Sequence, residues 1–404
     1  MTTADPSVAR PGNVPASFAA AGLAKPARDH RIDFFRGLAL ASIFINHMPG
    51  NAFERLTHKN FGITDSAEIF VLLAGVAAAF AYLPGIAAGQ YGAAVWRALQ
   101  RAVTLYLAHL SNTAVGLGLF AAGALWLGTA PLLNELNLPL LFSDTARTLV
   151  GIPLMTHQIG YFNILPLYVT LLLMLPAILA LVTIGPRVAL AASLAVYALS
   201  HASGLNVPTF PAEGSWYFNP LAWQLIFTIG ILIGWRLRAG LGGVPYVAPL
   251  FWLAAAYLVA CFSYTWFNLW GLLPDLPLPA TFVGNDKTYV AIARLAHVLA
   301  LVYVVGHSPL MPWLSARLTP RNPLVLIGRH ALPVFWTGTL LSVAGLIVRY
   351  AVLDQDGTLP MPEMPPLLWL DTVLVAAGLA IQVALAHALD RFERGKPAVV
   401  RAAA

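Results

Sequence analysis

The stretch Arg31-Ile-Asp-Phe-Phe-Arg-Gly-Leu-Ala-Leu-Ala-Ser-Ile-Phe-Ile-Asn-His47 begins with charged residues, continues through an apolar run and ends on a histidine. Its length suits a helix that crosses a bilayer, which needs ~20 mostly apolar residues. The run begins only at Phe34 and is too late and too long for a cleaved signal peptide. We therefore predict a first membrane-spanning helix over 33–49, preceded by a disordered cytoplasmic tail over 1–30.

The composition extends this prediction to the whole chain. Of its 404 residues 59% are hydrophobic and only 10% are charged, whereas soluble domains carry roughly 25% charged residues. We predict an all-α, polytopic integral membrane protein with about ten transmembrane helices in a single domain over 31–390, followed by a short basic cytoplasmic tail over 391–404. The predicted spans are 33–49, 68–89, 103–127, 162–184, 188–204, 219–237, 248–267, 288–306, 331–350 and 367–389.

The distribution of Lys and Arg gives the orientation, because positively charged loops stay in the cytoplasm. Ten spans put both termini on the same side. With the N-terminus inside, Arg294 lies within a span and 17 of the 23 basic residues lie at the inner side. The five at the outer side are Arg55, Lys59, Arg147, Lys287 and Arg349. We predict that both termini lie in the cytoplasm and that the outer loops, which are long and aromatic, carry recognition or chemistry.

Two other classes of protein are disfavoured. The net charge of +6 comes with no basic stripe, so a nucleic-acid partner is not indicated. The one cysteine, Cys261, can form no intrachain disulfide, and the sequence offers no Cys-based metal site. We predict no bound metal and a lipid bilayer as the environment of the chain.

The first span carries polar groups that a membrane tolerates only with a partner or a function. Asp33, Arg36 and His47 fall on one face of the predicted helix, with Arg36 and His47 ~16 Å apart along the axis. Asp33 could form an i, i+3 ion pair with Arg36. His47 could bond a neighbouring carbonyl group, or it could act as a general base near pH 7.

The second span opens with Thr64-Asp-Ser-Ala-Glu68, in which Asp65 and Glu68 have the spacing of a helix capping box. Capping is one role for these two residues. The alternative is that Glu68 or Asp65 orients His47 and stabilises its charge.

Further polar groups lie toward the outer side. Arg294 is the deepest cation of the sequence, and we expect a carboxylate or an anionic ligand to meet it. The segment Gly214-Ser-Trp-Tyr-Phe-Asn-Pro-Leu-Ala-Trp-Gln224 is typical of an interfacial aromatic belt, or alternatively of a sugar-binding platform. The candidates for binding an acceptor are Trp216, Asn219, Trp223, Gln224, His157 and Arg294.

The residues at 31–40, at Phe44-Ile-Asn-His-Met-Pro-Gly-Asn51 and at Asp65-Ser-Ala-Glu-Ile-Phe-Val71 make the chain similar to the OpgC family. Similar pieces follow at 217–225, 287–297 and 332–338. That family contains the succinyltransferase of osmoregulated periplasmic glucans. The arginine of the first span, followed eleven residues later by a histidine, also resembles the wider acyltransferase-three superfamily of membrane O-acyltransferases.

The resemblance implies a bacterial inner-membrane enzyme that moves an acyl group from cytoplasmic acyl-CoA to a hydroxyl of a periplasmic glucan. We expect succinyl-CoA as co-substrate, with acetyl-CoA left open, and no bound cofactor. His47 would be the essential histidine, with Glu68 or Asp65 fixing its tautomer. The candidates for binding the phosphates of CoA at the inner face are Arg36, Arg31, Arg101 and Arg329, because Arg suits bidentate phosphate contacts.

Several alternatives stay open. Direct transfer is the expected mechanism, because no Ser or Cys elbow is evident, but an acyl-His47 intermediate is compatible with the sequence. The chain could instead acetylate another envelope glycan. It could also transport an anionic metabolite with Arg294 and Lys287 as the substrate site, or serve the glucan synthesis machinery as a non-catalytic scaffold.

Overall fold

The computed structural model describes residues 28–269, 284–354 and 364–395, and in these residues the fold is all-α. Ten of the described helices have 16 to 36 residues, and we label them α1–α10 in chain order. They are α1 His30–Asn46, α2 Ser66–Ala87, α3 Tyr91–Trp126, α4 Ile164–Ile184, α5 Pro186–Ser203, α6 Pro220–Arg238, α7 Ala248–Trp266, α8 Ile292–His307, α9 Ala331–Leu353 and α10 Leu368–Gly395.

Each predicted span overlaps one of these ten helices. The largest difference is in α3, which begins at Tyr91 and not near 103. The predicted span over 103–127 leaves Arg97 and Arg101 before it, but both are part of the helix and are exposed on it. The helix therefore continues past the apolar segment, because charged residues end a hydrophobic stretch without ending a helix.

Among the described residues, seven helices are long and apolar enough to cross a membrane. The number rises to eight if α8 and the short helix Leu310–Arg317, bent by 63° relative to it, are one span. The 17-residue α1 and the more polar α5 are not in this set. The chain is thus a helical membrane protein, while the count of ten and the orientation stay predictions.

The predicted tails lie mostly outside the described residues, which begin at Arg28 and end at Gly395. Residues 391–395 of the C-terminal tail belong to α10, which continues to Gly395. The Arg394 guanidinium contacts the Asp390 carboxylate at 2.8 Å, one helical turn earlier. Such i, i+4 pairs favour a helix outside the apolar region.

Helices α2 and α6 form the centre of the bundle. In each of them 67% of the apolar window is buried inside the protein, against 11% in α7. Glycines permit their close approach: a Cβ on Gly75 would collide with the Phe227 carbonyl, and one on Gly230 with the Leu72 carbonyl. Small residues at such crossings let helix backbones pack directly in membranes.

Helix α1 is held against the short helix Pro323–Arg329 in the same way. The Gly37 backbone lies on the Leu324 carbonyl, and the Gly328 backbone lies on the Asp33 carbonyl. A side chain at either glycine would collide with backbone, so these two contacts fix the position of α1. We call the two ends of α1 the Arg36 end and the His47 end, and use these names for the corresponding ends of the bundle.

Candidate active site

His47 lies immediately after α1, where its backbone N–H still bonds the Ile43 carbonyl at 3.0 Å. The chain then turns at Gly50, which has a positive φ of 76°. The imidazole stacks on the Tyr161 ring, with 4.5 Å between the centroids. Its Nδ1 atom is buried and has no hydrogen-bond partner in the described part of the chain. The ring is therefore held by stacking and keeps a nitrogen available for chemistry.

The predicted capping box at the start of α2 is present. The Asp65 carboxylate accepts from the Ala67 N–H at 2.8 Å, and the Glu68 carboxylate accepts from the Asp65 N–H at 3.1 Å. Both side chains thus satisfy amide donors that the first turn of a helix leaves free. The local spacing in the sequence was sufficient to identify this arrangement.

The same two carboxylates also hold the two cations of the neighbouring chain segment. Arg294 on α8 donates to Glu68 through Nε at 2.8 Å and through Nη2, and Glu68 is fully buried. Lys287 pairs with Asp65, and the Arg294 Nη1 donates to Asn285 at 2.9 Å. The predicted anion that meets Arg294 is therefore a carboxylate of the protein itself.

The charges around Asp65 and Lys287 stabilise each other. Burial alone would raise the pKa of Asp65, but Lys287 and Arg294 outweigh it and hold the pKa well below its ordinary value. For Lys287, burial acts to lower the pKa, whereas Asp65 and Glu68 raise it above the usual range. Asp65 and Lys287 are therefore both charged, and together with the Glu68–Arg294 pair they form what we call the ionised network at the His47 end.

Neither carboxylate contacts His47 through a hydrogen bond in the described residues. The imidazole nevertheless interacts electrostatically with three nearby charged groups, which are Lys287, Asp65 and Lys59. The structure thus brings the ionised network close to His47, while the stacking on Tyr161 holds the ring.

A pair of histidines adjoins this network. The Thr64 hydroxyl lies 3.0 Å from the His58 Nε2 atom and 2.7 Å from the His297 Nδ1 atom. One hydroxyl thus bridges two imidazoles, and the backbone of Gly62 packs directly against the His297 ring. Burial lowers the pKa of His58 to about 4, so this ring is neutral near pH 7.

Arg36 lies at the other end of α1, and the structure differs here from the predicted i, i+3 pair. Asp33 is bound by Arg28, which donates to its two oxygens at 2.6 and 3.0 Å. This bidentate contact leaves Arg36 without any hydrogen bond or ion pair to the described residues, and its Nε atom is buried. Arg36 lines a small, partly open cavity together with Arg101 and Tyr168.

The other two arginines predicted to bind CoA are already paired. Arg31 donates three hydrogen bonds to Asp29, at 2.7 to 3.2 Å. Arg329 contacts Asp390 at 2.6 Å and the Pro320 carbonyl at 3.3 Å. Of the four predicted arginines, the structure therefore brings Arg36 and Arg101 together and gives the remaining two internal partners.

A second small cavity lies farther along α1 and is lined by His47, Phe44 and Gln382. Both cavities include Phe335 of α9 in their lining. One face of α1 thus borders two adjoining spaces, one with the unpaired Arg36 and the other with His47, and the Phe335 ring lies at the boundary.

The residues predicted to bind an acceptor lie mostly inside the fold. Trp216 and His157 are buried, Asn219 caps α6, and Trp223 donates through Nε1 to the Lys287 carbonyl at 3.1 Å. Gln224 bonds the Ser193 hydroxyl at 2.5 Å. These side chains shape the loops at the His47 end in this conformation and are not presented at its surface.

In the segment 214–224, Tyr217 is the exposed aromatic residue, with 50% of its surface accessible. The Lys287 ammonium lies 5.7 Å from the centre of its ring. Together with the partly buried Tyr161, Tyr217 offers an aromatic surface beside His47. The sequence groups Tyr217 with aromatic neighbours and does not distinguish it from those that are buried.

One ion pair at this end was not predicted. Arg349, taken as an outer-loop cation, is a fully buried residue of α9 and pairs with Asp371 of α10. Asp371 also accepts from the Ala52 N–H at 2.9 Å. The pair therefore ties the loop that follows His47 to α9 and α10, and its only signal in the sequence was a charge beside an apolar run.

These features define a helical membrane protein with an ionised network and a stacked histidine at one end, and an unpaired arginine at the other. The model of the family described as OpgC protein matches residues 28–394, so the chain belongs to the OpgC family. Membership in this family indicates a transferase, and specifically an acyltransferase. No curated protein and no solved structure matches the chain.

Proposed function

We propose that the protein transfers a succinyl group from cytoplasmic succinyl-CoA to a hydroxyl of a periplasmic glucan, across the bacterial inner membrane. The observation that carries this proposal is the pair of cavities along α1. They adjoin at Phe335, and they contain Arg36 and His47 respectively. An acyl donor bound at Arg36 would need to reach ~16 Å along the helix to bring its thioester to His47.

The donor site would be built on Arg36 and Arg101. Arg36 is partly buried and has no counterion among the described residues, which is unfavourable in a membrane protein unless an anion meets it. CoA carries phosphates that match the planar fork of Arg. Arg31 and Arg329 would serve the donor only indirectly, because Asp29 and Asp390 already hold them.

The acceptor would approach from the opposite end. Tyr161 and Tyr217 provide faces on which a sugar ring can pack, and Lys287 and Asp65 provide charged groups beside them. Five of the predicted acceptor-binding residues would support this surface from beneath: Trp216, Asn219, Trp223, Gln224 and His157. The sixth, Arg294, would hold Glu68 in place.

His47 would act as the general base of a direct transfer. It takes the proton of the sugar hydroxyl as the oxygen attacks the thioester carbonyl, and it returns a proton to the CoA thiolate when the carbon–sulfur bond breaks. Asp65 and Glu68 would act on the imidazole through the field of the ionised network and not by contact.

The structure lends no support to a transporter that uses Arg294 and Lys287 as its anion site. Both cations are already paired with carboxylates of the protein. A transported anion would have to displace Glu68 or Asp65 from these pairs.

Mass spectrometry of periplasmic glucans would test the proposal. Cells that make the wild-type protein should carry succinylated glucans, and cells without the protein or with His47→Gln should lack this substituent. An unchanged substituent pattern would contradict the proposed substrate. If the glucans carried acetyl groups in place of succinyl groups, the donor would be acetyl-CoA and the reaction would still be an acyl transfer.

A further inference from the structure

The buried face of α10 carries three polar residues at helical spacing, Asp371, Gln382 and Asp390. The two carboxylates are each bound by an arginine, Asp371 by Arg349 and Asp390 by Arg329. Gln382 lies between them, ~16 Å from Asp371 and ~12 Å from Asp390 along the axis. Among the described residues, Gln382 is the one of the three that is not bound by a charged side chain.

The hydrogen-bonding capacity of Gln382 is largely unused. Its side chain is 1% exposed, and Nε2 donates to the Gly378 carbonyl at 3.3 Å. A glutamine amide has two donors and two acceptor positions, and no other partner is present in the described part of the chain. Because buried polar groups are nearly always bonded, this unused capacity points to a ligand that completes these bonds.

The Gln382 amide borders the same cavity as His47. The rest of that lining is apolar except for Thr339, whose hydroxyl donates to the Phe335 carbonyl at 2.9 Å. Gly338 on α9 leaves room for the amide, since a Cβ there would lie 3.1 Å from the Gln382 Oε1 atom. The cavity thus contains one base, His47, and one amide, Gln382, whose hydrogen-bonding capacity is largely unused.

We propose that Gln382 is a further catalytic residue, which donates a hydrogen bond to the thioester carbonyl oxygen of the acyl donor. This inference rests on the proposed function. As the sugar oxygen bonds to the carbonyl carbon, His47 takes the hydroxyl proton and negative charge develops on the carbonyl oxygen. The Gln382 N–H stabilises this charge. The charge returns to the carbonyl bond when the carbon–sulfur bond breaks, and His47 gives its proton to the leaving thiolate.

The decisive variant is Gln382→Met, which keeps the bulk of the side chain and removes its hydrogen bonds. We expect kcat for acyl transfer in proteoliposomes to fall ~10²-fold, as for the loss of one donor to an oxyanion. Gln382→Glu, which keeps the shape but not the N–H donors, should lose a similar factor. Gly338→Ala, which crowds the amide without removing it, should lose less.

A second measurement separates this role from packing. A thioether analogue of the acyl-CoA has no carbonyl oxygen, so its affinity should be equal for the wild type and Gln382→Met. Ser342→Ala serves as the matched control, because among the described residues this buried hydroxyl on α9 bonds only the Thr339 carbonyl, at 2.8 Å. It should leave both kcat and affinity unchanged.

The outcomes are distinct. A kcat near that of the wild type in Gln382→Met would overturn the inference and leave the proposed function standing. Weaker binding of the thioether analogue to Gln382→Met would also overturn it, because the amide would then shape the cavity without acting on the carbonyl. A wild-type protein that transfers no acyl group at all would overturn both proposals.

Discussion

The imidazole of His47 lies nearly parallel to the ring of Tyr161, with 16° between their planes. This contact holds the base by its face and leaves the edge of the ring free. His47→Gln keeps polarity and approximate bulk but removes the base. We expect the protein to insert normally and transfer to fall ~10²-fold or more, measured as labelled acyl transfer from acyl-CoA to purified glucan.

His387→Gln provides the control for the His47 variant. This histidine lies on α10 and has no role in the proposed site, so its activity should equal that of the wild type. If His47→Gln also retained wild-type activity, His47 would not be the base, although membership in the OpgC family would be unaffected.

The unpaired state of Arg36 leads to a prediction about donor binding. Arg36→Lys keeps the charge but loses the planar fork. Weakening one charge-assisted hydrogen bond, worth about 1.5–3 kcal/mol, should reduce the affinity for acyl-CoA about tenfold. Titration calorimetry in detergent would measure this affinity. Arg31→Lys should change the affinity much less, because Asp29 already binds that side chain; equal losses in the two variants would contradict this assignment.

The buried pair of Glu68 and Arg294 should dominate the stability of the His47 end. Glu68→Gln removes the closer of the two carboxylates that Arg294 contacts and leaves it Asp65, at 3.9 Å. Removing one partner of a buried ion pair typically costs about 3–5 kcal/mol. The thermal unfolding midpoint in detergent should therefore drop clearly, and adding Arg294→Gln should recover part of the loss. Glu213→Gln, at an exposed position, is the reference variant. A midpoint unchanged by Glu68→Gln would mean that the pair adds no net stability.

His58 predicts how stability depends on pH. Burial, reinforced by the charge of Arg294 and opposed by that of Asp65, lowers its pKa to about 4 in the folded protein. The unfolded chain, with a histidine pKa of ~6.5, binds the proton first as the pH falls. Stability should therefore decrease from about pH 6.5 toward pH 4, and His58→Gln should flatten this decrease. An equally steep decrease in the variant would assign the effect to other groups.

The orientation predicted from the basic residues can be tested at the C-terminus. A reporter enzyme that is active only in the periplasm, fused after Ala404, should be silent. A cytoplasmic reporter at the same position should be active. Strong periplasmic activity would contradict either the even number of spans or the predicted orientation, and a reporter at the N-terminus would then decide on which side Arg36 lies.

Features set by neighbouring residues were predictable from the sequence. The ten helices follow from their apolar runs, and the capping box at Asp65 and Glu68 follows from their three-residue spacing. That an anion lies near Arg294 was predictable, because a charge buried without a partner is energetically unfavourable. The identity of that anion did not, because Glu68 is 226 positions away along the chain.

Other features depended on competition between partners. Asp33 could pair with Arg36 by spacing, but Arg28 reaches it with two parallel hydrogen bonds. A helical pattern cannot rank a local partner against one from the preceding segment. The burial of Trp223 and Gln224 is similarly tertiary in origin, because it depends on Lys287 and Ser193 of other elements.

The attachment of α1 at both ends limits how the proposed reaction can proceed. Backbone contacts at Gly37 hold one end, and the bond from Ala52 to Asp371 secures the loop beyond the other. The helix is therefore unsuited to sliding or turning between the two sides of the membrane. In each catalytic cycle the moving part would be the long flexible arm of the donor, which carries its acyl group past Phe335 and withdraws as the free thiol.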